Sequence, residues 1–248
     1  MPGSLHSRVV EHVGSAIATG AIAPGSTMLA ESLENELGVS RSVVREAVRV
    51  LQSMGLVTSV KRVGIRVQSP SNWNVFDPQL IQWRLAEPTR GEQLRSLTEV
   101  RSAVEPFAAA LAAEHAPDDV AAELLGIAAR MRVLGRAGDL EGFLALDIEF
   151  HRLVLRGSGN EMFAALDDSI AAILRGRTEL DLMPEHPAEQ AMQWHVDVAD
   201  AIQGRHPEAA RAAMSSILTR ASDEITEVWA DTPRVFLGPP TVPSAPDA

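Results

Sequence analysis

The chain of 248 residues has no cysteine and no tyrosine, and aromatic residues make up only 4% of it. Without cysteine there is neither a disulfide nor a thiolate metal site, and the cytoplasm is the expected location. No run of about 18 uncharged apolar residues occurs, so no membrane span is expected. Met1 to Gly20 interrupts its apolar residues with Arg8, Glu11 and His12 and lacks the unbroken apolar core of a signal peptide. Apolar material is nonetheless ample. Hydrophobic residues reach 46% against 22% charged, which excludes wholesale disorder, and recurrent Ala and Leu favour helices.

The net charge of −11 hides an asymmetry. Residues 1–70 carry seven basic side chains (Arg8, Arg41, Arg45, Arg49, Lys61, Arg62, Arg66) and five acidic ones (Glu11, Glu31, Glu34, Glu36, Glu46), a balance of +2 that leaves −13 for the other 178 residues. The basic residues concentrate between Arg41 and Arg66. A locally basic head on an acidic body is the pattern of a protein with two tasks.

Ser4 can cap a first helix in which Leu5, Val9, Val13 and Ile17 recur at helical spacing. Pro24-Gly25 must turn. A short helix over Ala30–Leu37 ends at Gly38, and Ser40 is placed to cap a third, from Arg41 to Met54, closed by Gly55. Val57–Val60 and Ile65–Gln68 read as two strands joined through Lys61, Arg62, Val63 and Gly64. Residues 1–68 thus form a winged helix-turn-helix. Residues 69–79 are a linker by composition, with Trp73 and Phe76 to pack it on something. Helical periodicity then fills 80–230, with helices near 78–87, 91–115, 118–136, 139–157, 160–181, 188–203 and 207–229. Residues 231–248 hold five prolines and are expected to be a disordered tail. The fold class is mainly α: a winged helix-turn-helix followed by an antiparallel helical bundle.

The second helix of such a motif lies in the major groove with its first side chains at base edges. Arg41 and Arg45, four apart, share one exposed face while Val44, Val48 and Leu51 turn inward. Arginine suits a bidentate contact with guanine, and Ser40, Ser42 and the free N–H groups at the helix start suit phosphate. Lys61 and Arg62, followed by Gly64, can approach the adjacent minor groove or backbone. The arginines alone would equally make a solvated helix face; the Gly38 turn and the basic hairpin weigh towards DNA.

Leu29-Ala30-Glu31, Leu37 through Ala47, Leu51 and Gly55-Leu56-Val57 together resemble the signature of GntR-type transcription regulators across residues 5–68. The resemblance implies operator contacts by Arg41, Arg45 and Gly64, assisted by Ser42. One departure is Ser32, where many relatives place an arginine. Leu97–Pro106, Asp147–His151, Gly159-Asn160 and His195 with Ala201-Ile202 resemble the effector domain of the FadR branch. There a bundle encloses a pocket, often with a divalent metal held by one Asp and several His, and small carboxylates bind on or beside it.

The residues also carry this chemistry themselves. Asp147 and His151 are four apart on one helix, and His195 on a later one would complete an Asp/His/His set that suits Zn best, with Ni, Mn or Fe as alternatives. By itself that pair reads more readily as a plain contact on an amphipathic helix. Relatives with a full set carry a further His where this chain has Ile217. Arg101 needs a partner among Leu97, Val100 and Val104. It either pairs with Glu105 or clamps an effector carboxylate, as the resemblance implies. Arg175 and Arg177 are further candidates for effector hydroxyls or a second charge. Asn72–Asp77 and Leu80–Trp83 resemble galactonate-responsive repressors of that branch, which also lack the final His.

The expected protein is a homodimeric repressor that reads an inverted repeat in double-stranded DNA, with no membrane partner. A sugar acid of the galactonate or gluconate class would release it. Another small carboxylate (lactate, pyruvate or a dicarboxylate) is an alternative effector. A helical metalloenzyme is the rival class, but no general base or nucleophile stands at matching spacing, so no catalytic residue is expected.

Overall fold

The computed structural model describes residues 4–86, 88–180, 182, 187–234 and 236. Two compact units divide the chain, one running to Arg90 and the other from Gly91 to Thr232.

In the first unit, the Ser4 hydroxyl accepts from the Ser7 N–H and starts α1 (Leu5–Ala18), whose Val9, Val10, Val13 and Ile17 are buried. After the Pro24-Gly25 turn come β1 (Thr27–Met28) and α2 (Ala30–Leu37). Gly38 ends α2 at φ +64°, a left-handed cap that spares glycine the usual steric penalty. In α3 (Arg41–Ser53), Val44, Ala47, Val48 and Leu51 face the core. A hairpin of β2 (Val57–Val60) and β3 (Gly64–Val67) follows, and β1 pairs with the other edge of β3 to give the antiparallel order β1-β3-β2. Ile65 and Val67 point inward and Arg66 outward. Sequence periodicity misses β1 because two residues cannot show an alternation.

The segment after β3 stays on this unit. The Trp73 indole N–H donates to the Gln68 carbonyl at 3.2 Å, and the Asn74 N–H to the Met54 carbonyl at 2.9 Å. Trp73 packs against the head's core, whereas Phe76 is exposed. The Asp77 carboxylate caps α4 (Pro78–Arg84), accepting from the N–H groups of Gln79 and Leu80. The buried Trp83 of α4 then settles on α1 at Gly14, where an added Cβ would lie 2.1 Å from the indole. The helix expected at the start of the bundle therefore belongs to the head, and the division falls after Arg90 rather than at residue 80. An apolar face such as Leu80, Ile81 and Trp83 demands a partner but does not name it.

The second unit is all-helical: α5 (Arg90–His115), α6 (Asp118–Ala137), α7 (Leu140–Gly157), α8 (Glu161–Ala164), α9 (Asp167–Glu179), α10 (Glu189–Gln203) and α11 (Pro207–Ile225). Helix α10 packs on α6 and α11, and α7 on α6 and α9. Leu124, Ile127, Met131, Phe150, Leu155 and Ile202 fill the core. The single helix expected over 160–181 is two. Asn160 caps α8 through its side-chain oxygen, and the chain breaks at Ala165 and Leu166 before Asp167 and Asp168 open α9. Met162, Phe163 and Leu166 keep helical spacing across that break and conceal it. Of the tail expected to be disordered, residues 231–234 and 236 are described and the others lie outside the described residues.

Gly14 yields a prediction with a diagnostic sign. In an exposed helix interior Gly→Ala gains up to about 1 kcal/mol. Here Gly14→Ala should instead destabilise the head by about 1–3 kcal/mol through overpacking. Amide hydrogen exchange should show α4 and α1 losing protection while the bundle is unchanged.

Candidate functional site

The head presents its basic residues outward. Arg41, Ser42, Arg45 and Arg49 on α3 are exposed, as are Ser40, Lys61, Arg62 and Arg66. Arg49 is tied to Glu46 at 2.9 Å, whereas the Arg45–Glu46 separation is 3.8 Å. Among the described residues no carboxylate pairs with Arg41, Lys61 or Arg62. Ser40 does not cap α3 with its side chain as expected; its hydroxyl lies 2.9 Å from that of Ser42. The first N–H groups of α3 are thus left unclaimed by that hydroxyl, which suits an anion at the helix start.

In the bundle, α5, α7 and α10 bring five polar side chains together in the apolar interior. Arg101, Glu105, Asp147, His151 and His195 are all buried. Arg101 Nε donates to Glu105 Oε1 at 2.5 Å, and Arg101 Nη2 lies 3.3 Å from Glu105 Oε2 and 3.3 Å from His151 Nε2. His151 Nδ1 meets Glu105 Oε2 at 2.5 Å, and His151 Nε2 faces Asp147 Oδ1 at 3.4 Å. His195 Nε2 lies 3.2 Å from the same oxygen, while its Nδ1 is 2.8 Å from the Ala191 carbonyl. Phe150 packs edge-on to both rings.

Burial penalises every charge here, and mutual pairing outweighs it. Burial raises the Glu105 carboxyl, but Arg101 and then His151 hold it at about 2. Burial lowers His151, yet Glu105 and Asp147 bring it up to about 9 against the opposing charge of Arg101. Asp147 is likewise driven far below the usual carboxylate range by the two imidazoles despite its burial. Arg177, on α9, is lowered by burial and by the like charge of Arg101, and pairs with Glu224 at 3.1 Å. Glu224 also accepts from Arg220 Nε at 2.9 Å.

Arg101, Asp147, His151, His195, Arg177 and Glu224 line one cavity of about 50 Å³, with Ile217 on its apolar wall. One Asp oxygen and one nitrogen from each of His151 and His195 lie within 4.8 Å of one another. The donor set fits a divalent metal. With Nδ1 held by the Ala191 carbonyl, His195 turns Nε2 towards the Asp147 carboxylate at 3.2 Å, beside His151 Nε2, so a nitrogen from each ring and one carboxylate oxygen face a common point that a cation could occupy. His151 would be oriented likewise by Glu105, the usual support of an imidazole ligand.

The sequence pattern of the gntR family of bacterial regulatory proteins matches residues 5–67, and that of the FCD domain matches residues 96–220. The chain belongs to the GntR family. It is a transcription regulator and not an enzyme. This GntR regulator is 29% identical over 223 residues to the galactonate operon transcriptional repressor of Escherichia coli, covering 89% of this chain and 96% of that one. It is also 29% identical over 213 residues to the probable D-xylose utilization operon transcriptional repressor of Paenarthrobacter nicotinovorans, covering 84% and 83% of the two chains. The structure of Lar, which controls the expression of the Listeria monocytogenes agr system and mediates virulence, shares the fold. Its TM-score is 0.60 at 16% identity, over 92% of this chain and 99% of that one. Among the described residues of the regulator, no helix is long and apolar enough to cross a membrane.

Two expected site residues sit differently in the GntR regulator from what their sequence positions imply. Arg175 is exposed and does not line the cavity, because two residues along a helix from the buried Arg177 the side chain points almost the opposite way. Gly64 is half-buried at φ +110°, and an added Cβ would lie 2.5 Å from the Met28 carbonyl, so β1 packing alone requires glycine there. Glu224 was passed over by sequence reasoning, and Glu105 was seen only as a partner of Arg101, not as a contact of His151. Their signal is a carboxylate four residues after a buried or cavity-lining arginine, Arg101 in one case and Arg220 in the other. Gly64→Ala should destabilise the head by about 1–3 kcal/mol without any DNA present, read from urea unfolding of the head's Trp73 and Trp83 signals.

Proposed function

We propose that this GntR regulator is a homodimeric repressor of an inverted-repeat operator, released when a small sugar acid of the galactonate or gluconate class binds in the bundle cavity. The convergence of Arg101 with Asp147, His151 and His195 in one buried cavity carries the reading. In it, the Asp/His/His trio holds a divalent metal, Zn before Ni, Mn or Fe, and the metal supplies a Lewis-acidic seat for an anion. Arg101 takes the effector carboxylate, with Arg177 at the hydroxyl-bearing end.

Charge supports an anionic ligand. The Arg101, Glu105, Asp147 and protonated His151 set is neutral; a divalent ion in place of that proton leaves one positive charge, which a monocarboxylate cancels. The kinship with a galactonate operon repressor over nine-tenths of the chain points to a sugar acid among carboxylates. Ile217 supports it further, since an apolar wall in place of a fourth ligand leaves a metal position for effector oxygens.

A thermal-shift series on chelator-stripped protein tests this, crossing divalent metals with galactonate, gluconate, lactate, pyruvate and dicarboxylates. A sugar acid at 100-fold its Kd should add about 2.7 kcal/mol of stability, and Arg101→Met should abolish the shift. A shift with lactate or pyruvate alone would move the effector to that class. Saturating sugar acid that leaves operator affinity unchanged would overturn the release mechanism, because a ligand with no preference between two states shifts neither.

On DNA, Arg41 and Arg45 read bases from α3, Ser40 and Ser42 hold phosphate, and Lys61 and Arg62 reach from the wing. Arg41→Ala should weaken operator binding by about 1–3 kcal/mol and relax preference at one base pair. Lys61→Ala should weaken all sequences alike and lower the salt slope by about 1. Fluorescence anisotropy across a salt series separates the two.

A further inference from the structure

Within the proposed reading, one buried group has no task. Glu105 is 0% exposed in the alanine-rich second half of α5 and is not one of the three candidate metal ligands. A fully desolvated carboxylate is costly, and an apolar side chain of similar volume would fill the space more cheaply. What a carboxylate offers is two acceptor oxygens, and both are engaged: Oε1 with Arg101 Nε at 2.5 Å and Oε2 with His151 Nδ1 at 2.5 Å.

The two imidazoles are held by different means. His195 gives Nδ1–H to the Ala191 main-chain carbonyl, which no substitution removes. His151 has only the Glu105 side chain in that role. Glu105 Oε2 faces Nδ1 as an ion-pair partner at 2.5 Å rather than as an aligned hydrogen-bond acceptor, and a carboxylate at that distance favours the proton on Nδ1 and leaves Nε2 towards Asp147. The same carboxylate grips the Nε edge of Arg101, which keeps the rest of the guanidinium at the cavity, with Nη2 3.3 Å from His151 Nε2.

We propose that Glu105 is a positioning residue that orients His151 as a metal ligand and Arg101 as an anion clamp, so that one carboxylate sets both halves of the site. This inference rests on the metal reading given above, and its test separates the two.

Zn²⁺ affinity, measured by competition with a chromophoric chelator, is compared across wild type, Glu105→Gln, Arg101→Met and the double variant Arg101→Met/Glu105→Gln. Wild type should bind one Zn²⁺, and Glu105→Gln should bind it 10- to 100-fold more weakly. Arg101→Met breaks the same buried ion pair but leaves the Glu105–His151 contact, so its Zn²⁺ affinity should stay within about threefold of wild type or rise, as a nearby positive charge is removed. The double variant has no unpaired guanidinium and remains informative where Glu105→Gln fails to fold; it should bind Zn²⁺ 10- to 100-fold more weakly than Arg101→Met. A role confined to stability would move Glu105→Gln and Arg101→Met together and leave the double variant equal to Arg101→Met, which would overturn the proposal. Absence of Zn²⁺ binding by folded wild type would overturn the metal reading itself and this inference with it.

Discussion

Burying charge in an apolar bundle is the constraint on which the rest of the regulatory unit depends. Arg101, Glu105, Asp147 and His151 leave water together, and each is tolerable only because the others are within hydrogen-bonding reach. That requirement fixes how α5, α7 and α10 lie. Arg101 and Glu105 come from one turn of α5, Asp147 and His151 from one turn of α7, and His195 from α10. The three helices therefore meet at this level through their polar side chains, and farther along α5 Ala108, Ala109, Ala112 and Ala113 are buried in the apolar core. Around the polar centre the packing is ordinary, with Phe150, Met131 and Ile202 at full burial.

The head solves a different problem, and its solution is local. Its core is assembled from four helices and a small sheet, and glycines stand where backbone or ring approaches too closely for any side chain. Gly14 admits Trp83, and Gly64 admits the Met28 carbonyl. The basic residues take no part in that packing. Arg41, Lys61 and Arg62 have no acidic partner among the described residues, so their charge is available to phosphates and bases without breaking an internal contact. Packing and exposed charge therefore occupy separate sets of residues in the head, whereas in the bundle the charges lie within the packing itself.

How much of this was legible in the sequence follows from the range of each signal. Caps and turns are local, so Ser4 and Gly38 were readable, and so were the strands on either side of Lys61-Arg62. Ser40 was misread as a side-chain cap because its hydroxyl has a rival partner two residues on, in Ser42. The apolar stripe of α4 was visible, but its partner was not, since nothing in Leu80, Ile81 and Trp83 distinguishes α1 from a bundle helix. Asp147 and His151 announced themselves by spacing, yet His195 joins them only through folding across 43 intervening positions, and that join rested on family resemblance. Arg175 and Arg177 looked alike in sequence; helical geometry sends one to solvent and the other into the core. Glu105 was seen as an ion-pair partner, but its second contact, to His151, is long-range and was out of reach.

The size of the cavity bears on how such a unit can regulate. At about 50 Å³ it holds one or two waters at roughly 30 Å³ each, far below the 300–1,000 Å³ usual for ligand pockets. Enclosing a sugar acid there, as proposed, would require the walls to move. Some of those walls are rigid: His151 and Asp147 sit mid-helix, surrounded by core. Others are held by contacts that can be exchanged, chiefly Glu224, which bridges Arg177 and Arg220 near the end of α11. An effector that supplies its own oxygens to those arginines replaces the bridge rather than merely breaking it, so opening leaves no buried guanidinium unpaired. Under the proposed reading such a ligand would favour an opened cavity over this one, which is the differential affinity that any shift between two states requires. A tight but fully preformed pocket would bind its ligand and report nothing.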